Sequence, residues 1–401
     1  MRQGPDHDAQ SRFARLAANP PSPVRDASLR RSSFHLALPP LGELKRLARL
    51  SVLRGGRDPP WPCPEERAAA AQALASADAF DGDSFLMLGG DKRFIWSASG
   101  GCVQMYGLHG RTWIAMGAPV GRACEQDEVV AAFLSRAAAA GAQPAWHNVS
   151  PRFADRLRAA GLKLAKIGER AEIDLAAFSL TGKSNRGLRN ALNQAERSGC
   201  TFEVRPPGAA LELASELRGV SDAWLARQPG SELGFSLGRF DPTYLARFHL
   251  ALVRREGRLI AFSNVWTHRD LATCDLMRFA DEGPGGGMTH MQLRLLLWAQ
   301  QQGFARFDLG LAPLAGLEAA EMEGWIGRAG AFVFQHGGAL YRFRGVRDWK
   351  NKFAPRWEPV FIAARSRAGL ARAALGVARL TQGRRPRRLS FEPTWFRPRA
   401  A

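Results

Sequence analysis

The feature that most constrains this chain is a change of apolar period that it makes twice. Short aromatic-rich runs separated by glycine turns give way to amphipathic stretches with helical spacing, each followed by a single apolar run. From Asp81 onward, residues 84–88, 94–97, 102–106 and 112–116 read as strands of an antiparallel meander. A helix over 128–140, a strand over 144–149, a helix over 153–160 and a strand over 171–175 complete a compact α+β unit. The second half repeats that grammar: helices over 190–198 and 210–227, strands over 259–265 and 273–279, a helix over 288–302 and a strand over 306–309. The expectation is two tandem α+β units, each a mixed, mainly antiparallel sheet flanked by helices.

The ends have a different texture. Residues 1–60 are rich in Arg, Pro and Ser and read as a basic, largely disordered arm with one short helix over 41–53. That leaves 61–180 for the first unit, 181–360 for the second, and 361–401 as a basic tail, partly an amphipathic helix, that includes Gly-Arg-Arg-Pro-Arg-Arg at 383–388. Lys and Arg outnumber Asp and Glu by 56 to 37, a formal net charge of +19, which favours phosphate-bearing partners, whether nucleic acid or an anionic membrane surface. Five scattered cysteines without C-x-x-C spacing argue against a disulfide framework or a zinc site and fit a reducing cytoplasm. The histidines show no metal-ligand spacing, and no apolar run suits a signal peptide or a membrane span.

Chemistry concentrates around Cys274-Asp275-Leu276-Met277-Arg278, which precedes a glycine-rich turn at 283–287 and a helix start. Such a turn exposes backbone N–H groups to an anion or a developing oxyanion, and it reads equally as a plain flexible turn. Asp275 and Arg278 are three apart, so regular alternation sends them to opposite faces; both can serve one site only at a frayed end or a bulge. Lys183, Arg186 and Arg189 are spaced to share one basic face, suited to phosphates or simply to solvent, and the segment lacks the glycine that a Walker loop would need at Ala177. Arg344, Arg347, Lys350 and Lys352 interleave with Phe343, Trp349 and Phe353, a combination that fits either a nucleic-acid end or a core-facing helix.

Read in order, several blocks resemble the C-terminal catalytic domain of the bacterial phosphatidylglycerol lysyltransferases, the aminoacyl-phosphatidylglycerol synthases. They are Gly168-Glu169-Arg170-Ala171-Glu172-Ile173-Asp174-Leu175, Gly182-Lys183-Ser184-Asn185-Arg186, Leu188-Arg189-Asn190 and Gly234-Phe235-Ser236-Leu237-Gly238-Arg239-Phe240. Asp275-Leu276-Met277-Arg278, Asp308-Leu309-Gly310-Leu311-Ala312-Pro313-Leu314, Lys350-Asn351-Lys352-Phe353 and Trp357-Glu358-Pro359 follow.

The resemblance implies two acetyltransferase-like units facing each other, aminoacyl-tRNA as donor, phosphatidylglycerol as acceptor, and no metal or other cofactor. It implies that Asp275 holds the donor's α-amino group and that Arg278 places the ester or stabilises its oxyanion. Lys183, Asn185, Arg186, Arg189, Asn190, Asp308, Lys350 and Lys352 would bind substrate. The sequence lacks the multi-helix membrane half common in that family, so peripheral contact with the inner face of the cell membrane is expected. Arg365, Arg372 and Arg379 recur every seven residues, with Leu370, Val377 and alanines placed to turn towards an apolar phase; the tail serves the membrane or, alternatively, tRNA. Three other functions fit the same residues: an acyl-coenzyme A transferase, an aminoacyl-tRNA-dependent transferase to a peptide or cell-wall acceptor, and a non-catalytic binding module.

Overall fold

Alternating apolar residues buried on both faces produce one mixed sheet with helices on each side. The computed structural model describes residues 59–227, 232–280, 287–317 and 345–382. The expected helix at 41–53, the glycine turn at 281–286, Phe343, Arg344 and the tail from 383 lie outside them.

Among the described residues the strands are β1 (Arg93–Trp96), β2 (Cys102–His109), β3 (Thr112–Met116), β4 (Val120–Gly121), β5 (Gln143–Val149) and β6 (Lys163–Asp174). They continue as β7 (Cys200–Arg205), β8 (His249–Arg255), β9 (Arg258–His268), β10 (Leu271–Phe279), β11 (Arg306–Pro313) and β12 (Arg356–Ala364). The order across the sheet is β1-β2-β3-β5-β12-β6-β11-β10-β9-β8-β7, with β4 on β2. Neighbours are antiparallel except β3 with β5 and β10 with β11. Helices α1 (Pro64–Ala75), α2 (Gln126–Ala139), α3 (Pro151–Ala159), α4 (Arg186–Arg197), α5 (Ala214–Ala226), α6 (Gly287–Gln301) and α7 (Arg367–Thr381) cover it.

The two faces carry separate cores. Around β2, β3 and β5, one face buries Tyr106, Trp113, Phe133 and Trp146 beneath α2 and α3. In the second half, α4 and α6 cover one face through Leu188, Leu192, Met291 and Leu295. The other face buries Phe262, Trp266 and Leu276 against Leu217 and Val220 of α5 and against Phe85, Leu86 and Met87. Burying each such large side chain contributes about 1.5–3 kcal/mol, and this last core draws its side chains from both halves of the chain.

Most expected elements occur within a few residues of their expected bounds. Residues 84–88 do not form a strand. They lie in a 3-10 helix, Gly82–Gly89, because Asp81 and Ser84 close a capping box: the Asp81 N–H donates to Ser84 Oγ at 3.0 Å, and Asp83 N–H donates to Asp81 Oδ1 at 3.1 Å. The expected helix over 210–227 breaks at Leu213 into Ala209–Glu212 and α5. Strands β7, β8 and β12 and helix α1 had no counterpart in the sequence reading. β12 runs past residue 361, where the tail was expected to begin, and sits between β5 and β6. The tail helix is present as α7, but its apolar side faces protein: Leu370, Ala373 and Gly376 are buried on the sheet. A Cβ at Gly376 would stand 2.5 Å from the Ile114 Cδ1, so this side of the helix is pressed against β3 rather than turned to lipid.

Candidate active site

β10 and β11 are paired only at their start, where Leu271, Ala272 and Thr273 face Arg306, Phe307 and Asp308. Pairing then stops, although β10 continues to Phe279 and β11 to Pro313. Both strands are irregular at the parting. β10 shifts register against β9 between Cys274 and Met277, and β11 shifts against β6 between Asp308 and Gly310. Side chains replace the missing ladder bonds: Asn264 Oδ1 accepts from the Leu276 N–H at 2.8 Å, and the Thr273 hydroxyl donates to the Asp308 carbonyl at 2.8 Å. The sheet therefore opens into a notch beside Asp275.

The bulge solves the alternation problem posed by Asp275 and Arg278. An extra residue in β10 brings both to the face covered by α5. There Arg278, 3% exposed, pairs with Glu232 at 2.5 Å and stacks its guanidinium 3.9 Å from the centroid of the Trp224 ring. Its Nη1 is buried and has no hydrogen-bond partner among the described residues. Asp275 Oδ1 accepts the Gly238 N–H at 2.9 Å, while its Oδ2 is buried and equally without a partner. Burial raises the Asp275 carboxyl to about 6, a shift that the Gly238 N–H and the charges of Lys92 and Arg278 only partly counter. The buried phenol of Tyr244 is pushed well above its ordinary value, first by burial and then by the Asp275 charge.

Residues 232–240 form a strap over this pair. Asp91 accepts the Phe235 N–H at 2.7 Å, Asp275 that of Gly238, and Glu232 that of Phe240 at 2.9 Å. At the α7 end, the Gly234 N–H donates to the Thr381 carbonyl at 2.9 Å, and the Ser236 and Thr381 hydroxyls lie 2.7 Å apart. Asp91 is held in turn by the buried Lys92.

A second polar network lies across the parting strand. Arg170 on β6 pairs with Asp83 and Asp308 and donates to Asn148 Oδ1 at 3.1 Å. Burial opposes its charge, and the carboxylates of Asp308 and Asp81 outweigh burial and hold its pKa up. Lys350, 5% exposed, donates to the carbonyls of Gly310 and Leu311 at 2.8 and 2.9 Å. Burial lowers its ammonium pKa to about 8, against the pull of Asp308.

The structure thus brings together Asp275, Arg278, Asp308 and Lys350 around one notch. It leaves Lys183, Arg186, Asn190 and Lys352 exposed, before, on and beside the elements that cover the opposite face. Asn185 and Arg189 are occupied in local structure: Asn185 Nδ2 donates to the Ser179 and Thr181 carbonyls at 2.8 and 3.0 Å, and Arg189 donates to those of Leu180 and Gly182. Lys350 faces carbonyls rather than solvent, which sets it apart from the exposed phosphate contact expected of it. The residue reading missed Asp83, Asp91, Lys92, Asn148, Trp224, Glu232 and Tyr244, all far in sequence from Asp275. Arg170 and Gly238 did carry a signal, inside the motifs Gly168-Glu169-Arg170 and Gly234 to Phe240.

Other catalytic schemes find little support here. Burial raises the Cys274 thiol to about 12, which disfavours a thiolate nucleophile, and lowers His147 and His290 to about 4. Among the described residues no group of His, Cys, Asp and Glu is arranged to hold a metal ion, and no helix is long and apolar enough to cross a membrane.

Comparison with known proteins places this chain in a lineage. Residues 72–364 match the family model described as phosphatidylglycerol lysyltransferase, C-terminal. The chain belongs to this family. The phosphatidylglycerol lysyltransferase of Bacillus subtilis (strain 168) is 34% identical over 294 residues, which cover 73% of this chain and 34% of that protein. The chain thus spans about a third of the length of the curated relatives it matches. Among solved structures, the C-terminal DUF2156 domain from Agrobacterium fabrum superposes with a TM-score of 0.71 at 35% identity, covering 79% of this chain and 97% of that one. L-PGS from Bacillus licheniformis superposes at 0.69 with 32% identity, covering 80% and 98%. The phosphatidylglycerol lysyltransferase C-terminal family thereby accounts for the α+β fold.

Proposed function

We propose that this protein transfers an aminoacyl group, lysyl or a similar one, from aminoacyl-tRNA to the glycerol headgroup of phosphatidylglycerol. The observation that carries the reading is the pair of buried, partnerless atoms beside the notch, Asp275 Oδ2 and Arg278 Nη1. Buried polar groups are ordinarily satisfied, so a carboxylate oxygen and a guanidinium nitrogen on one face of β10, both without a partner among the described residues, point to a ligand with a cation and an acceptor at matching places. An aminoacyl ester has both: its α-ammonium pairs with Asp275, and its carbonyl oxygen accepts from Arg278.

In the reaction a glycerol hydroxyl of the lipid attacks the ester carbonyl carbon. A new C–O bond forms, the bond to the tRNA ribose oxygen breaks, and the proton released by the glycerol ends on that ribose hydroxyl. Negative charge gathers on the carbonyl oxygen in between, where Arg278 stabilises it. The ester arrives activated, so no cofactor is required. The exposed Lys183, Arg186, Asn190 and Lys352 lie on the side suited to tRNA phosphates, and the notch joins that side to the face bearing Asp275. Asp308 and Lys350 then act from within the sheet, holding the notch in shape. Division into units 61–180 and 181–360 belongs to the same proposal. It is supported by the recurrence of an antiparallel run and a helical crossover to a parallel strand, β3–α2–β5 and β10–α6–β11.

The test incubates purified protein with labelled aminoacyl-tRNAs and phosphatidylglycerol vesicles. Label entering the organic phase, dependent on Asp275, is expected. Label that moves only from an acyl-coenzyme A, or only onto a peptide acceptor, overturns the reading.

A further inference from the structure

The acceptor in the proposed reaction sits in a bilayer, and the inference here rests on that reading while naming a surface it does not. Large hydrophobic side chains exposed among the described residues are Trp61, Leu211, Leu233, Leu237 and Leu375. Two of these five, Leu233 and Leu237, lie on the strap, and Leu375 lies on α7, whose Thr381 bonds the strap directly. Strap and helix form one layer over the sheet. Phe235 and Leu380 both pack inward on Gly107, and Gly376 packs on Ile114 and His109, so the leucines point away from the protein.

Charge surrounds these leucines. Ala368, Arg372, Leu375 and Arg379 recur at i, i+4, i+7 and i+11 and form a single exposed stripe on α7. Arg365 and Arg367 are exposed at its start, and the helix contains neither Asp nor Glu. Beside the stripe an open groove of about 550 Å³ is lined by His109, Arg111, Thr112, Gln143, Arg372 and Leu375, a size that admits a lipid headgroup. Nucleic acid would be served by the arginines alone. Leucines set among arginines, with no acid on the helix, fit a surface that is negatively charged outside and apolar a few ångströms within.

We infer that the outward stripe of α7, together with the tip of the strap, is the surface by which this protein docks on an anionic phospholipid bilayer. The arginine stripe remains on the membrane side expected of it, whereas Leu370 and its neighbours, expected to meet lipid, are committed to the core and Leu375 takes their place. The strap ties the docking surface to the site: Leu237 adjoins Gly238, whose N–H bonds Asp275. Docking therefore sets the rim of the notch against the lipid that supplies the acceptor hydroxyl.

The test uses the full chain, with vesicles of phosphatidylglycerol and phosphatidylcholine, pure phosphatidylcholine vesicles, and tRNA as separate probes. Each arginine near an anionic bilayer is worth roughly fivefold in binding, so Arg372→Glu/Arg379→Glu should weaken co-sedimentation with the anionic vesicles by about 25-fold or more. Leu375→Glu should also release the protein from anionic vesicles. Both variants should keep wild-type turnover on phosphatidylglycerol dispersed in detergent, where no bilayer need be found. Hydrogen exchange on the wild-type chain gives a readout independent of variant folding, with protection over 232–240 and 367–382 on anionic vesicles and none there with tRNA. Unchanged co-sedimentation of both variants, or protection of these segments by tRNA instead, overturns the proposal. Vesicle binding through this surface without any aminoacyl transfer would leave the docking face standing and remove the proposed reaction; transfer without such binding would do the reverse.

Discussion

The N–H of Gly238 donates to Oδ1 of Asp275 at 2.9 Å, and a Cβ at position 238 would overlap Oδ2 and stand 2.8 Å from the Asp275 Cγ. The strap can cross the carboxylate this closely only because its residue there has no side chain.

Gly238→Ala should therefore displace either the strap or Asp275 and reduce transfer by about 100-fold or more, the usual scale when a reacting group is misplaced by about 1 Å. Gly219→Ala, in α5 with open space around it, is the control. It should leave turnover unchanged and stabilise the fold by up to about 1 kcal/mol. Equal activity in both variants would show that the contact is dispensable.

Asp275 ties stability to function through pH. Its folded pKa, about 6, lies above the ordinary aspartate value, so folding favours the protonated form. The stabilising contribution is complete below about pH 3.8 and is lost as pH rises through 6. Asp275→Asn should accordingly melt at the same temperature as wild type near pH 4 and at a higher one at pH 7.5. Its transfer activity should be abolished throughout, because an amide does not pair with an ammonium. In wild type, the KM for aminoacyl-tRNA should rise as pH falls below about 6. Matching melting curves across the whole range would remove the claim of an uncompensated carboxylate.

Arg278 acts through Nη1, which has no partner among the described residues, while its Nη2 pairs with Glu232 and its plane lies over the Trp224 ring. Loss of an oxyanion donor costs about 10² to 10³ in rate, so Arg278→Ala should lose about that factor in kcat. Arg278→Lys should recover little, since an ammonium neither stacks as a plane nor forks between two partners. Wild-type turnover in either variant would exclude the assigned role.

Arg170 bridges Asp83 and Asp308 inside the protein. Arg170→Met should destabilise the fold by about 3–5 kcal/mol by leaving buried carboxylates without their cation. Thermal melts at pH 7.5 should show that deficit. A variant as stable as wild type at pH 7.5 would mean that the network is not electrostatically coupled.

The exposed basic residues should behave differently from the occupied ones. Lys183→Glu, Arg186→Glu and Lys352→Glu should each weaken tRNA binding and flatten its salt dependence, by about 0.7 to 0.9 in log–log slope for each phosphate that the variant no longer neutralises. Asn185→Ala and Arg189→Ala should instead loosen residues 179–182, which is visible as faster hydrogen exchange there. A filter-binding salt series separates the two classes.

How far the site was legible follows from the range of each interaction. Periodicity located β2, β3, β5, α2, α6 and β10 because one buried face repeats every two or 3.6 residues. β8 and β9 are apolar on both faces, and without alternation only β9 was recognised. β12 was missed because its partners, β5 and β6, lie far upstream in the chain, as in the pairs Phe361 with Val149 and Arg356 with Glu172. Residues 84–88 looked like a strand because their apolar run is buried, yet the capping box of Asp81 and Ser84 settles their backbone locally.

What the sequence determined by itself was the α+β class, the basic balance, and the pairing of an acid with an arginine three residues apart on one strand. Whether that pair could share a site was decided by tertiary structure. The bulge between Cys274 and Met277 exists because β10 must remain registered with β9 while parting from β11, and alternation cannot encode a residue that has no partner. The same holds for α7: its arginine stripe already separates the two faces in the sequence, and the packing of Gly376 on Ile114 decides that the apolar face meets the sheet rather than lipid.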